Sequence, residues 1–349
     1  MSTTHSELEL EAIRICQELI RIPSVNFGDG KGDEKAVADY VAALLTEVGI
    51  EPTIYESAPG RCNVIARIKG SNSDRPGLVV HGHIDVVPAN ADDWSVDPFS
   101  GVIKDGFIWG RGAVDMKNMD AMILATVRDW KRTGFIPERD IVLAFFADEE
   151  AGSIFGSHYM VKNHPEVFAG CTEAVSEVGG FSVTVTGGKR LYLIETAEKG
   201  IHWMRLTAHG RAGHGSMMND DNAITRLSEA LAKIGRFEWP QRYSKTVKAF
   251  FKRIAQETGK PYNEEDLRPL LKEIGFASTM IGATLQNTAN PTMLDAGYKA
   301  NVIPGSASAT VDGRFIPGFE DEMNATIKSL IGENITVETI TRDKALEVP

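Results

Sequence analysis

The sequence predicts an α/β fold, a mostly parallel sheet flanked by helices with an inserted α+β domain, and three observations carry that expectation. Short apolar runs alternate with segments of helical periodicity through the first half of the chain. Two of the runs, Gly77-Leu-Val-Val and Ile141-Val-Leu-Ala-Phe-Phe-Ala147, show no polar alternation, as in strands buried on both faces. Near residue 199 the texture changes to alternating strand patterns and a separate group of helical ones.

In chain order, helical spacing marks 6–22 (Leu10, Ile13, Leu19, Ile20) and 34–48 (Val37, Val41, Leu44, Leu45, Val48), the latter stopped by Gly49. Strand-like runs follow at 51–56, 63–68 and 77–82. A helix is expected over 116–133, ending near Gly134, then a strand at 141–147, a helix at 155–163 and a strand near 173–177. Beyond 199 the pattern reads strand (201–209), helices (221–234, 243–255, 264–273) and strands (278–285, 306–315), then a helix at 320–331 and a strand at 335–340. The expected organisation is 1–198 as the first part of a main domain, 199–315 as the inserted domain, and 316–349 as an incomplete return to the first.

The chain has 349 residues, 42% hydrophobic and 24% charged, as in globular proteins. Its net charge of -11 argues against a nucleic-acid partner. Cys16, Cys62 and Cys171 form no CxxC spacing, which suggests reduced thiols and a cytoplasmic setting. The N-terminus is acidic and unlike a secretory signal, and no stretch is long and apolar enough to suggest a membrane partner.

Several acids and a histidine share one placement. His83 and Asp85 end one expected strand, Glu149 and Glu150 another, and Glu177 a third, while Asp115 opens a helix after a glycine-rich turn. In open α/β sheets, ligands gather outside the carboxyl ends of the strands, so these residues are expected on one rim. Crowded carboxylates resist ionisation unless neutralised, and divalent cations neutralise them with ligands of these types. A pair of ions bridged by a carboxylate brings the pKa of water to about 7 and dispenses with a nucleophilic side chain. Asp85, two residues beyond His83, lies on the same face of an extended chain and is placed to orient its imidazole. Of Glu149 and Glu150, one suits a metal and the other a proton-transfer role. Asp115 reads equally as a helix N-cap, Glu177 as an exposed turn residue, and paired acids recur in glycoside hydrolysis, which leaves His83 and Asp115 unused. No GxSxG elbow, P-loop or HExxH pattern occurs.

The segments GHIDVVPA (82–89), GRGAVDMK (110–117), FFADEEAGS (145–153) and GRAGHGS (210–216), in this order, resemble the M20 metallopeptidase family. The resemblance implies a zinc-exopeptidase-like fold with the inserted domain as a lid, and a homodimer formed through that lid. It implies two divalent metal ions, zinc or else cobalt or manganese. His83 and Glu177 would bind one, Glu150 the other, with Asp115 bridging. Glu149 would be general base, Asp85 the partner of His83, and His214 a stabiliser of the oxyanion. Asn301 and Arg314 would contact a substrate carrying a carboxylate, an N-acyl amino acid or small peptide. The family places a last metal-ligating histidine close to its C-terminus, whereas the last histidine here is His214. The expectation is therefore a C-terminally truncated chain with one ligand missing at the second metal. The rival reading is a non-catalytic dimeric binding protein that retains the fold, or an inactive truncated form.

Overall fold

The computed structural model describes residues 5–28, 30–177 and 179–348. The chain divides into two compact units, Met1–Glu177 and Val178–Pro349.

The first unit opens with helix α1 (Glu7–Arg21), whose start is a capping box: the Ser6 side chain accepts from Glu9 N and the Glu9 carboxylate accepts from Ser6 N. Helix α2 (Lys35–Thr46) and strands β1 (Pro52–Ala58), β2 (Arg61–Ile68) and β3 (Gly77–His83) follow. Then come α3 (Lys117–Thr133), β4 (Ile141–Phe146) and β5 (Cys171–Val175). The sheet order is β1-β2-β4-β3-β5. β1 pairs with β2 and β2 with β4 antiparallel, while β4, β3 and β5 run parallel.

All six residues of β4 are buried because the strand is covered on both faces. On one face, Ile15 and Leu19 of α1, Val41 and Leu45 of α2 and Leu124 of α3 pack on Val64, Leu143 and Phe145. On the other, Ile65, Val142, Ala144 and Phe146 pack on Met160 of the helix Ser157–Asn163. The unbroken apolar run is thus explained by two packed layers. His83 pairs with Phe146, and Val80 with Val175, so the three parallel strands end on one rim.

The second unit contains the hairpin Gly179–Thr184 and Arg190–Ile194, then a four-stranded antiparallel sheet. Its strands are β6 (Gly200–His209), β7 (Thr288–Ala296), β8 (Ser306–Phe315) and β9 (Ile335–Asp343), in the order β7-β8-β6-β9. Helices α4 (Ala223–Arg236) and α5 (Glu320–Ile331) cover one face. Met204, Leu206 and Ala208 alternate inward from β6 against Leu227, Ile234, Met323 and Ile327.

Three expectations change. The first unit ends at Glu177 rather than at 198, so the hairpin after it falls in the second unit. Residues 316–349 do not return to the first domain: β9 pairs with β6 from Ile201 opposite Asp343 to Ala208 opposite Ile335, and α5 packs beside α4. This sheet needs that helix and strand to cover its apolar face and its β6 edge. Residues 278–285 are helical turns, Ser278–Gly282 and Ala283–Leu285, and the strand lies later, at Thr288–Ala296. Ile274, Ala277, Ile281 and Leu285 recur at helical spacing and enter a cluster with Phe251, Leu267 and Leu270. Burial of that face outweighs the strand preference of its β-branched residues. Among the described residues, no helix is long and apolar enough to cross a membrane.

Candidate metal centre

The rim at the ends of β3, β4 and β5 carries the expected residues. His83 closes β3 and is 3% exposed, so its imidazole has one open direction, along Nε2. Asp115 Oδ1 lies 2.9 Å from that nitrogen, Glu177 Oε2 3.2 Å and Glu149 Oε2 3.7 Å. Ligand atoms of His83, Asp115 and Glu177 all lie within 4.8 Å of one another. One ring N–H serves one acceptor well, and here three carboxylates crowd a single nitrogen. That is a donor set suited to a divalent cation, with oxygen and imidazole ligands of the types zinc takes.

Asp115 precedes Met116, the N-cap residue of α3, which makes no side-chain cap bond. The helix therefore leaves the Asp115 carboxylate free to face His83, and 65% of that side chain is exposed on the open side of the site.

The electrostatics follow from the crowding. Burial pushes the His83 imidazole down, but hydrogen bonds from its ring to the carboxylates of Asp115, Asp85 and Glu177 overcome it and raise its pKa. The same contact with His83 lowers Asp115. Glu149 is raised by burial and by the charges of Glu177, Asp85 and Asp115. Glu150 is raised to about 7, first by burial and then by Asp115.

Asp85 does more than its expected task. His83 Nδ1 lies 3.1 Å from the Asp85 backbone oxygen and 3.4 Å from its carboxylate. The two carboxylate oxygens accept the backbone N–H groups of Glu149 and Glu150, at 3.1 and 3.2 Å, and one also accepts Asn26 Nδ2 at 2.9 Å. Asp85 thus holds both the imidazole and the turn that presents the two glutamates. Despite its burial its carboxyl is lowered, because His83 and Asn26 bond to the ionised form.

The turn itself is tightly made. Asp148 has φ of 64° and Ser153 of 59°, a left-handed backbone unusual for these residues. A Cβ at Gly156 would lie 1.9 Å from the Ala147 carbonyl oxygen, so only glycine permits the loop to close there. Sequence reasoning missed the residues behind this turn: Asn26, Glu34, Arg61 and Asp148. Asp148 adjoins the paired glutamates, but nothing in the pattern marks Glu34 and Arg61 as buried.

The other three expected residues lie in the second unit. His214 is on the exposed two-residue strand Gly213–His214, paired with Val302–Ile303. Its Nδ1 lies 2.8 Å from Ser216 Oγ, and Asn301 Nδ2 approaches its Nε2 at 3.5 Å. Arg314, on β8, donates to Asp312 at 2.7 and 3.2 Å and stacks over Trp203. The structure therefore brings His214 and Asn301 together and occupies Arg314 with its own neighbour.

The sequence model for peptidase family M20/M25/M40 matches residues 79–340. The chain belongs to that family. Among its M20 relatives, the N-fatty-acyl-amino acid synthase/hydrolase PM20D1 of Xenopus tropicalis is 28% identical over 311 residues, 85% of this chain and 60% of that protein. The probable carboxypeptidase S-like 2 of Dictyostelium discoideum is 31% identical over 269 residues, 72% of this chain and 50% of that protein. The chain thus spans half to three fifths of the length of these two relatives. An M20 family metallo-carboxypeptidase from Sulfolobus solfataricus, Sso-CP2, shares the fold with a TM-score of 0.66 at 20% identity, covering 96% of this chain and 78% of that one.

Proposed function

We propose that this chain carries the catalytic centre of a metal-dependent hydrolase that cleaves the amide or peptide bond of an N-acyl amino acid or small peptide. One observation carries the reading: three carboxylates from separate segments converge on the single open nitrogen of His83. Family membership and the names of the relatives support the reaction class.

His83, Asp115 and Glu177 would hold one divalent cation, and Asp115 with Glu150 a second; zinc suits the donors, and cobalt or manganese are the other candidates. When bound, such ions supply Lewis acidity toward water and the substrate carbonyl. Glu149 is the proton carrier. Its carboxyl is half-exposed, faces the cluster 3.7 Å from His83 Nε2, and is raised by burial. It takes the proton of the attacking water as the C–O bond forms and the carbonyl oxygen becomes an oxyanion, then delivers that proton to the leaving amine nitrogen as the C–N bond breaks and the carbonyl re-forms. Asp85 fixes the imidazole through Nδ1, leaving Nε2 as the ligand atom.

In the same reading, two copies pair through the second unit, whose edge strand β9 exposes Val337 and Ile340. His214 then stabilises the oxyanion in the neighbouring copy, and Asn301 and Arg314 contact the substrate carboxylate. A zinc or cobalt titration, with a panel of N-acetyl, N-succinyl, long-chain N-acyl and dipeptide substrates, tests the proposal. Metal bound with turnover of at least one class supports it. Metal bound with no turnover of any class overturns the catalytic reading for this chain in favour of a binding protein or an inactive form, and no metal bound refutes the centre.

A further inference from the structure

Behind the metal centre lies a buried ionic chain whose members Arg61, Glu34 and Asp148 have no part in the chemistry above. Arg61 is 1% exposed. Its Nε and Nη2 donate to the two carboxylate oxygens of Glu34, both at 2.7 Å. Nη2 also donates to Asp148 Oδ1 at 2.9 Å. Asp148 Oδ1 accepts Asn26 Nδ2 at 3.0 Å, and its Oδ2 accepts Phe155 N at 3.0 Å. Asn26 Nδ2 donates in addition to Asp85 Oδ2, and Asp85 in turn accepts from the backbone of Glu149 and Glu150. The guanidinium also lies over the Phe155 ring, 5.3 Å from its centroid. A Cβ at Gly32 would come within 2.9 Å of the guanidinium carbon, so the pocket is shaped to the fork.

We propose that Arg61, seated on Glu34, is a positioning residue that sets the direction in which Glu149 and Glu150 leave β4. Asp148 is the hinge of that turn, with a left-handed backbone, and its carboxylate is buried. A buried carboxylate without a cation leaves a turn that relaxes toward solvent. Arg61 supplies that cation and, because its fork is planar, supplies a direction too; an ammonium supplies charge alone. The fold has little reason of its own to bury two acids and an arginine here, since apolar packing of similar volume does as well. The ionic chain is explained by what it points at.

The inference rests on the proposed centre for its consequence, and its test is separable. In metal-free protein, Arg61→Lys, Glu34→Gln and Arg61→Met are compared with the unaltered chain by thermal melting and by hydrogen exchange of peptides covering 148–155. Arg61→Lys is expected to keep the melting temperature within a few degrees and to speed exchange in 148–155 about tenfold, with α1 and β4 unchanged. Its zinc affinity, read against a competing chelator, should fall about tenfold, the scale seen when an outer partner of a metal site is lost. Unchanged exchange in 148–155 overturns the proposal, and so does an increase spread equally over the whole unit, which marks a structural role only. If Arg61→Met fails to fold, Arg61→Lys and Glu34→Gln still decide. Absence of zinc binding by the unaltered chain removes the proposed centre, while the exchange measurement, needing no metal, still judges Arg61.

Discussion

His83 in the first unit and His214 in the second both sit on strand ends, yet their surroundings differ. His83 is almost fully buried, and its three neighbours at Nε2, Asp115, Glu149 and Glu177, come from distant stretches of chain, with Asp85 at Nδ1 the one local partner among those named. His214 is exposed, and one of its two partners, Ser216, is two residues away. The same contrast holds for the charged groups. Arg61 is buried between Glu34 and Asp148, distant in sequence, whereas Arg314 pairs with Asp312 on its own strand. A site held by remote segments is rigid before any ligand arrives. Residues satisfied by local neighbours can exchange those partners for a ligand at small cost, since half-exposed ion pairs contribute about 0–1 kcal/mol. The candidate site of the first unit is held by remote segments, while Arg314 of the second is held by a neighbour on its own strand.

The largest effect expected on this contrast comes from Glu149→Gln, which removes the proposed proton carrier and keeps the turn. The rate should fall about 10²–10⁴-fold with zinc still bound; a variant with full kcat strips Glu149 of its role. Asp115→Ala next should lower zinc content after dialysis, because the carboxylate proposed to bridge two ions is lost. Elemental analysis showing the metal content of the unaltered protein would contradict the bridge.

Asp120 tests the first unit in another way. Both carboxylate oxygens are buried with no hydrogen-bond partner, and burial raises its pKa from 3.8 to about 8. Below about pH 4 the proton is bound in both folded and unfolded chains. Between pH 4 and 8 the unfolded chain releases it while the folded protein keeps it, so stability falls as pH rises through this window. Asp120→Asn should flatten that decline and, at pH 8, add roughly 1–3 kcal/mol in metal-free protein. Equal urea midpoints for variant and parent at pH 5 and pH 8 would show that the carboxyl is not costly. The smallest effect is expected at Arg314→Ala, in the second unit: KM for a carboxylate-bearing substrate about tenfold higher, kcat nearly unchanged, and the melting temperature unmoved. A fall in kcat with KM constant would place Arg314 among the reacting groups instead.

Much of this was legible in the residue order. Gly77–His83 and Ile141–Phe146 were readable because full burial on both faces writes an unbroken apolar run. The acids at strand ends were readable because parallel strands deliver their C-termini to one rim. Residues 278–285 misled because β-branched residues favour strands locally, while the burial of Ile281 and Leu285 was decided by a cluster distant in sequence. The place of 316–349 misled for a related reason. The alternation of β9 is the same whichever sheet it joins, and only the free edge of β6 decides.

By itself the order of residues determined which side chains could act: one imidazole and five carboxylates at element ends, with local spacing that sets one of them, Asp85, beside His83. Tertiary structure alone decided that Asp115, Glu149 and Glu177 meet at one nitrogen, and that Arg61 and Glu34 stand behind them. The physical reason is that periodicity records which face of an element is buried, a local property. The partner of a buried charge is chosen by three-dimensional packing, to which residues such as Glu34 and Asp148, 114 positions apart, contribute jointly through the Arg61 that bonds both.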